Sequence, residues 1–416
     1  AREEAVDIIG LSGLITPSLD EMVFLAREMQ RQDFEIPLLI GGATTSKAHT
    51  AVKIDPGSNA AVVHVNDASR AVTVVGDLLQ KERREAYKKS IKLDYESFRE
   101  KFLARGREKN YLSLSEARSN KLSVEWDSGA IGVPRMLGVQ ETGQVDLRKL
   151  VPYIDWSPFF RAWDLHGKFP DILEDKIVGP QARELYDDAQ KMLRELIRKN
   201  QLVAKGVFGL FKANAVEDDI QIETPEGKTY FFRTLRQQSV KRTGIPNLAL
   251  SDFIAPQDSG QQDYMGCFCV TAGIGVAQLA DTLKHSLDDY GSIMVKALAD
   301  RLAEAFAEYL HREVRMKFWG YAPEEQLDNQ ALIKESYRGI RPAPGYPACP
   351  DHLEKETIWE VLQVEERIGV SLTESLAMWP AASVSGYYFG HPKARYFGLG
   401  KIKKDQLEDY ALRKQI

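Results

Sequence analysis

Apolar and polar positions along the chain change their period more than once. Over the first 80 residues, short apolar runs at 6–11, 36–40 and 61–65 have strand length, and helical patterns lie between them. Ser18-Leu19-Asp20-Glu21 has the pattern of a capping box opening a helix to about Gln30. A second helix follows Ser46, and a third starts near Asn66–Asp67. Short apolar strands separated by helices predict parallel β/α units. In such sheets ligands sit at the carboxyl ends of strands, where Ser12, Thr16, Gly41, Gly42 and Ala68 fall. Three strands make a thin sheet, and nothing precedes the first, so the pattern reads as a domain entered partway.

Residues 81–110 then lose the alternation. More than half of them are charged, with both signs mixed, which predicts a solvated helical linker and a domain boundary. Beyond about Leu122 the pattern is different again. Strands are predicted at 207–211, 219–223, 230–234 and 264–271, the second and third joined by Pro225-Glu226-Gly227 as a hairpin. Amphipathic helices are predicted at 180–200, 354–366 and 405–414. The longest helical signal runs from Ser292 to about Phe318, with Met294, Leu298, Leu302, Ala305, Phe306, Tyr309, Leu310 and Val314 as its apolar stripe. The expected architecture is an incomplete parallel α/β sheet in residues 1–105, then an α+β domain in 106–416 with a mostly antiparallel sheet and long helices.

Composition narrows the function. The chain has 416 residues, a hydrophobic content of 44% and a net charge of −5, which fits a globular protein and argues against a nucleic-acid partner. It holds no apolar run of roughly 18 residues and no signal-like start, so no membrane span is expected and the reading is cytoplasmic. Cys267, Cys269 and Cys349 make a poor disulfide framework. The first two alternate on one side of a predicted strand, where core packing is expected rather than metal binding. The seven histidines lack zinc spacing, so no metal site is expected in this chain. There is no G-x-x-x-x-G-K-[ST] and no G-x-G-x-x-G after a strand; Gly273-Ile274-Gly275 is the nearest approach.

Candidate chemistry gathers on four segments. Residues 341–350, with four prolines in ten positions, cannot run inside a helix or central strand. They read either as an ordinary connection or as a stiff ribbon that presents Arg341 for bidentate carboxylate recognition, with Tyr346 in its middle. Asp155 sits among four aromatics in 153–160, either as a helix cap in an aromatic core or as a partner for an ammonium group. Asp300, Glu304 and Glu308 repeat at i, i+4, which opposes their own helix slightly and reads as a solvated face or as part of a site. Glu335, six residues before Arg341, could face the same site. A second aromatic cluster, 383–391 with Tyr396-Phe397, suits stacking on a flat ring or packing on the sheet.

Two blocks carry a resemblance to cobalamin-dependent methionine synthases: Ser12-Gly13-Leu14-Ile15-Thr16-Pro17-Ser18 with Gly41-Gly42-Ala43-Thr44-Thr45, and residues 341–350 with 153–160. The resemblance implies that the first part is the later portion of a flavodoxin-like cobalamin-binding domain. Ser12 and Thr16 would hold the cofactor's nucleotide tail, beside Gly41, Gly42 and Ala68. It implies that the second part is an activation domain for S-adenosylmethionine. Asp155 would meet the methionine ammonium, Arg341 its carboxylate, and Tyr396 and Phe397 the nucleoside. Tyr346 would face the corrin. On the same reading the acids Asp300 and Glu304 of the helix row, with Glu335, are expected to surround the sulfonium charge. The implied enzyme is a methyltransferase that moves a methyl from methyltetrahydrofolate to homocysteine. The implied task of this chain is reactivation, restoring methylcobalamin from S-adenosylmethionine with an electron from flavodoxin or a similar flavoprotein reductase. The family's D-x-H-x-x-G motif is not in this chain and is expected upstream, as are the homocysteine and folate modules and their zinc. The alternative is a corrinoid carrier without S-adenosylmethionine chemistry, which would be indifferent to Arg341.

Overall fold

The structure, a computed structural model, describes residues 6–13, 17–42, 44–66, 68–107, 111–126 and 131–416. Its contacts divide the chain into two compact units, Ala1–Asn110 and Tyr111–Ile416.

In the first unit, β1 (Ile9–Ser12), β2 (Leu38–Gly41) and β3 (Val62–His64) form a parallel sheet in the order β1-β2-β3. Helix α1 (Pro17–Arg31) turns Met22, Ala26 and Met29 onto Leu38, Ile40 and Val62, a spacing that places all three on one helix face. The helix begins ahead of Ser18, which therefore lies inside the first turn rather than capping it. A proline there loses no hydrogen bond, so the helix starts at Pro17. The helix expected after Ser46 is a single turn, Lys47–His49, which continues into a π-helical turn, Thr50–Ile54. The sheet's last helix is α2 (Ala68–Leu79).

The charged run forms α3 (Lys81–Arg107), yet it is not a free linker. Tyr87, Ile91 and Tyr95 recur every four residues and give it one apolar stripe among the charges. Tyr87 and Ile91 pack against Ala61, Val63 and Leu78. Tyr95 is buried, and its hydroxyl accepts a 2.8 Å bond from the His64 amide. Arg99 adds a 2.6 Å ion pair with buried Asp55.

The second unit is built on β4 (Gly138–Val145), β5 (Val203–Val216), β6 (Asp219–Glu223), β7 (Thr229–Arg233), β8 (Asp263–Ile274) and β9 (Ser383–Tyr388). The order is β9-β8-β5-β6-β7, and β4 pairs with the first half of β5 on the edge that β6 takes farther along. Each of these pairings is antiparallel. Alternation along β8 separates two cores. Phe268, Val270 and Ala272 face α4 (Ser157–Ala162), α5 (Gly179–Arg198) and α7 (Asp289–Glu313), which lies beyond α6 (Val276–His285). Met265, Cys267 and Cys269 face the other way, toward α8 (Glu354–Leu362). The two cysteines are core residues.

Six of the eight stripe residues predicted on α7 are buried along the helix, Tyr309 is half-buried, and Val314 is buried in the π-helical turn that follows, Val314–Phe318. Burial of each large member contributes about 1.5–3 kcal/mol. The helix expected over 354–366 breaks at Gln363, which takes φ 52° and lets both Leu362 and Val364 reach the same core. Helix α9 (Lys404–Lys414) closes the unit. Among the described residues no helix is long and apolar enough to cross a membrane.

Candidate functional site

The proline ribbon is docked on the sheet. Ile340 and Phe389 exchange two 3.0 Å backbone bonds, and the Tyr387 amide donates to the Pro342 carbonyl at 2.9 Å. The prolines cannot donate, but their carbonyls accept, so the ribbon follows β9 without continuing the ladder. Beneath it, a Cβ on Gly386 would stand 2.6 Å from the Pro342 oxygen, so a side chain there would lift the ribbon away. Beyond Ala343 the chain folds into a tight loop at Gly345, with φ +97°, closed by a 2.8 Å bond from its amide to the Cys349 carbonyl. This geometry turns Arg341 inward and leaves Tyr346 59% exposed at the rim.

A cavity of about 500 Å³ opens between this ribbon and α7. Arg341, Glu304, Glu335, Tyr346, Tyr396 and Phe397 all line it, above Phe268 and Val384 of the sheet. All six are among the residues singled out in the sequence, and the fold brings them around one cavity. Glu304 comes from α7, Glu335 from a left-handed position at φ 55°, and Tyr396 and Phe397 from the segment after β9.

The charges are organised around Arg341. Its Nη2 donates to Glu308 Oε2 at 2.9 Å, and its backbone amide donates to the Tyr396 hydroxyl at 3.0 Å. Burial works against the guanidinium's charge, but Glu308, Tyr337 and Tyr396 hold its pKa above the ordinary value. Burial raises the pKa of Glu335 against the opposing pull of Arg341. Burial and the nearby Glu304 carboxylate raise that of Tyr346. One guanidinium, the carboxylates of Glu304 and Glu335 and the rings of Phe268, Tyr346, Tyr396 and Phe397 thus share one cavity.

Asp155 is not among the residues lining this cavity. It accepts a 2.9 Å bond from the Ser157 amide at the start of α4, and Trp156, Phe159 and Phe160 are core residues. Its segment does cross α7: Tyr153 stands edge-on to Tyr309 at 5.6 Å, and Arg312 donates to the Tyr153 hydroxyl at 3.0 Å. Of the second aromatic cluster, Tyr387, Tyr388 and Phe389 are core and offer no stacking surface. Tyr337 carried no signal in the sequence, and Glu308 was visible as the third acid of the i, i+4 row but not as the partner of Arg341.

Gly273-Ile274-Gly275 turns β8 into α6. Gly275 has φ +96°, and a Cβ there would stand 2.4 Å from the Gln201 carbonyl oxygen. The cavity beside it, about 620 Å³, is lined by Lys296 and Asp300 but by no arginine among the described residues.

In the first unit Ser12 and Gly41 are paired in register at the carboxyl ends of β1 and β2. Gly42 follows at φ +106°, where a Cβ would meet the Gly13 backbone at 2.4 Å. Ala68 opens α2. Thr16 lies outside the described residues.

Residues 146–415 match the family described as vitamin B12 dependent methionine synthase, activation domain. Among solved structures, the chain is similar to the crystal structure of the MetH reactivation domain bound to AdoHcy. The identity is 52%, over 74% of this chain and 94% of that one, with a TM-score of 0.71. With more than half of its length matched, the chain belongs to the vitamin B12 dependent methionine synthase family and carries the activation domain of that family.

Proposed function

We propose that the Arg341 cavity binds S-adenosylmethionine and presents its methyl group for the reductive re-methylation of cobalamin. The observation that carries this reading is the meeting of Arg341, Glu304, Glu335, Tyr396 and Phe397 in one cavity of about 500 Å³. The ligand has a carboxylate for the guanidinium, a sulfonium for the acids and an adenine for the aromatic walls. The related reactivation domain holds AdoHcy, the same molecule without its methyl. Methyl transfer from a sulfonium needs no general base; the protein's task is to hold the methyl in line with its acceptor. Tyr346, exposed on the rim, is assigned to the face that meets the acceptor. Asp155 is assigned to the amino group, supported by the crossing of its segment over the helix that supplies Glu304 and Glu308.

The first unit is proposed as part of a flavodoxin-like cobalamin-binding domain. Ser12 and Gly41 lie side by side at the carboxyl ends of β1 and β2, where open parallel sheets take their ligands. Ser12, Thr16, Gly41, Gly42 and Ala68 would hold the cofactor's tail. When bound, the corrinoid supplies the acceptor for the methyl group. The same reading takes one electron from a flavoprotein and places the homocysteine and folate chemistry on other modules of a cytoplasmic methionine synthase.

Calorimetry with S-adenosylmethionine on the wild type, Arg341→Ala and Asp155→Asn tests the site. Loss of a charge-assisted contact should cost on the order of 1.5–3 kcal/mol, more than tenfold in affinity. A silent wild type would favour the carrier reading. Equal binding by Arg341→Ala would remove Arg341 from the carboxylate, and equal binding by Asp155→Asn would remove Asp155 from the amino group.

A further inference from the structure

Behind the cavity wall, Arg341 belongs to a closed circuit of polar contacts. Its Nη2 donates to Glu308 Oε2 at 2.9 Å. Glu308 Oε1 stands 3.6 Å from Arg315 Nη1, an ion pair without a hydrogen bond. Arg315 is fully buried and donates to both oxygens of Glu325, at 2.8 and 2.6 Å. Its guanidinium also lies over the Tyr337 ring, 4.2 Å from the centroid. The Tyr337 hydroxyl reaches that of Tyr396 at 3.5 Å, and Tyr396 accepts the Arg341 backbone amide. The circuit starts and ends on the residue that points into the cavity.

Glu308 is the joint of this circuit. It is 7% exposed and sits one turn after Glu304 on α7, where the buried stripe fixes its position. Both Glu325 oxygens are engaged by Arg315. Among the described residues, then, Glu308 is the carboxylate paired with Arg341, and Arg341 Nε has no partner there. A guanidinium has five donors in a rigid fork, so anchoring one edge aims the other. Without that anchor the Arg341 side chain would keep its charge but lose its direction.

Resting on the S-adenosylmethionine reading above, we propose that Glu308 is the positioning residue for Arg341: it holds the guanidinium from behind so that its free edge selects ligands with a carboxylate. Glu308 then acts through Arg341 and contributes to discrimination at the carboxylate end rather than to binding in general.

The test compares S-adenosylmethionine with its decarboxylated analogue, by calorimetry on the whole chain. Glu308→Gln is expected to weaken binding of S-adenosylmethionine by about tenfold or more. It should change binding of the decarboxylated analogue by less than about threefold, since that ligand offers Arg341 nothing to hold. In the Arg341→Ala background, Glu308→Gln should add almost nothing, because the two residues act as one unit. A role confined to stability would weaken both ligands equally and would add to Arg341→Ala; either result overturns the proposal. Should Glu308→Gln fail to fold, Glu308→Asp carries the same comparison, since it keeps the charge but withdraws it by one methylene. Unchanged selectivity in that folded variant also overturns the proposal. A wild type that binds neither ligand removes the S-adenosylmethionine reading and this one together. A wild type that binds both, with equal losses in the variant, removes only this one.

Discussion

At Gly345 and at Gly42 the backbone is left-handed, and a Cβ would collide with something at both, but the obstacles differ. At Gly345 the nearest atom is the His352 ring carbon, 2.3 Å away, and His352 is exposed and can swing aside. The cost of Gly345→Ala is therefore mainly that of a left-handed non-glycine residue, about 1–2 kcal/mol. At Gly42 the obstacle is the Gly13 backbone, its nitrogen and oxygen both 2.4 Å away, and that backbone is tied down by a 2.8 Å bond from the Gly13 amide to the Gly41 carbonyl. Gly42→Ala should cost more than Gly345→Ala and should open the carboxyl ends of β1 and β2. Hydrogen exchange read on each unit checks the order: the reverse ranking would mean that the Gly13 segment moves freely. Gly345→Ala should also weaken S-adenosylmethionine binding, because the same loop sets both Arg341 and Tyr346.

At the scale of single elements, β8 carries an unusual charge at its first residue. Asp263 is buried and accepts bonds from the Ala255 amide at 2.9 Å and from the Tyr264 amide at 2.7 Å. Burial outweighs both and pushes its carboxyl up to about 6. An unfolded aspartate titrates near 4, so between about pH 4 and 6 the folded chain keeps a proton that the unfolded chain has released. Stability from this group therefore falls as pH rises through that window, on the order of 2–3 kcal/mol in total. Relative to the wild type, Asp263→Asn should gain about that much between pH 4 and 7 in urea unfolding followed by tryptophan fluorescence. A constant difference across that range would show that Asp263 titrates normally. All six tryptophans lie in the second unit, so the signal reports on it alone. The elements themselves were legible wherever one face met a core: the stripe on α7 and the alternation through Cys267 and Cys269 were both visible in the sequence. The stripe of Tyr87, Ile91 and Tyr95 was hidden because charges dominate its segment. Glu308 could be seen as the third acid of a row, but not as buried. Its partner Arg341 arrives from a ribbon 33 residues farther on. For Asp155 the local reading, a cap beside an aromatic core, matches its contact with Ser157, and only the crossing of its segment over α7 connects it to the site.

At the scale of the whole molecule, each unit closes its own core. The first is held by α1 and α3 on a three-stranded sheet, with Arg99 and Asp55 tying the charged helix down at 2.6 Å. The second contains both large apolar cores, and every residue lining the Arg341 cavity belongs to it. Two consequences follow from that separation. A chain trimmed to residues 111–416 should fold and bind S-adenosylmethionine within about twofold of the full chain, since no lining residue is removed. Arg99→Ala should loosen the first unit, because Asp55 would be left buried without its cation, at a cost of about 3–5 kcal/mol for a fully buried pair and less for this partly exposed arginine. The same substitution should leave S-adenosylmethionine affinity unchanged. Calorimetry on the three proteins, with hydrogen exchange on α3 of the full-length pair, distinguishes the cases. If the trimmed chain loses affinity, or if Arg99→Ala lowers it, then the first unit contributes to the ligand site, and the cavity bounded by Arg341, Glu304 and Tyr396 is not the whole of it.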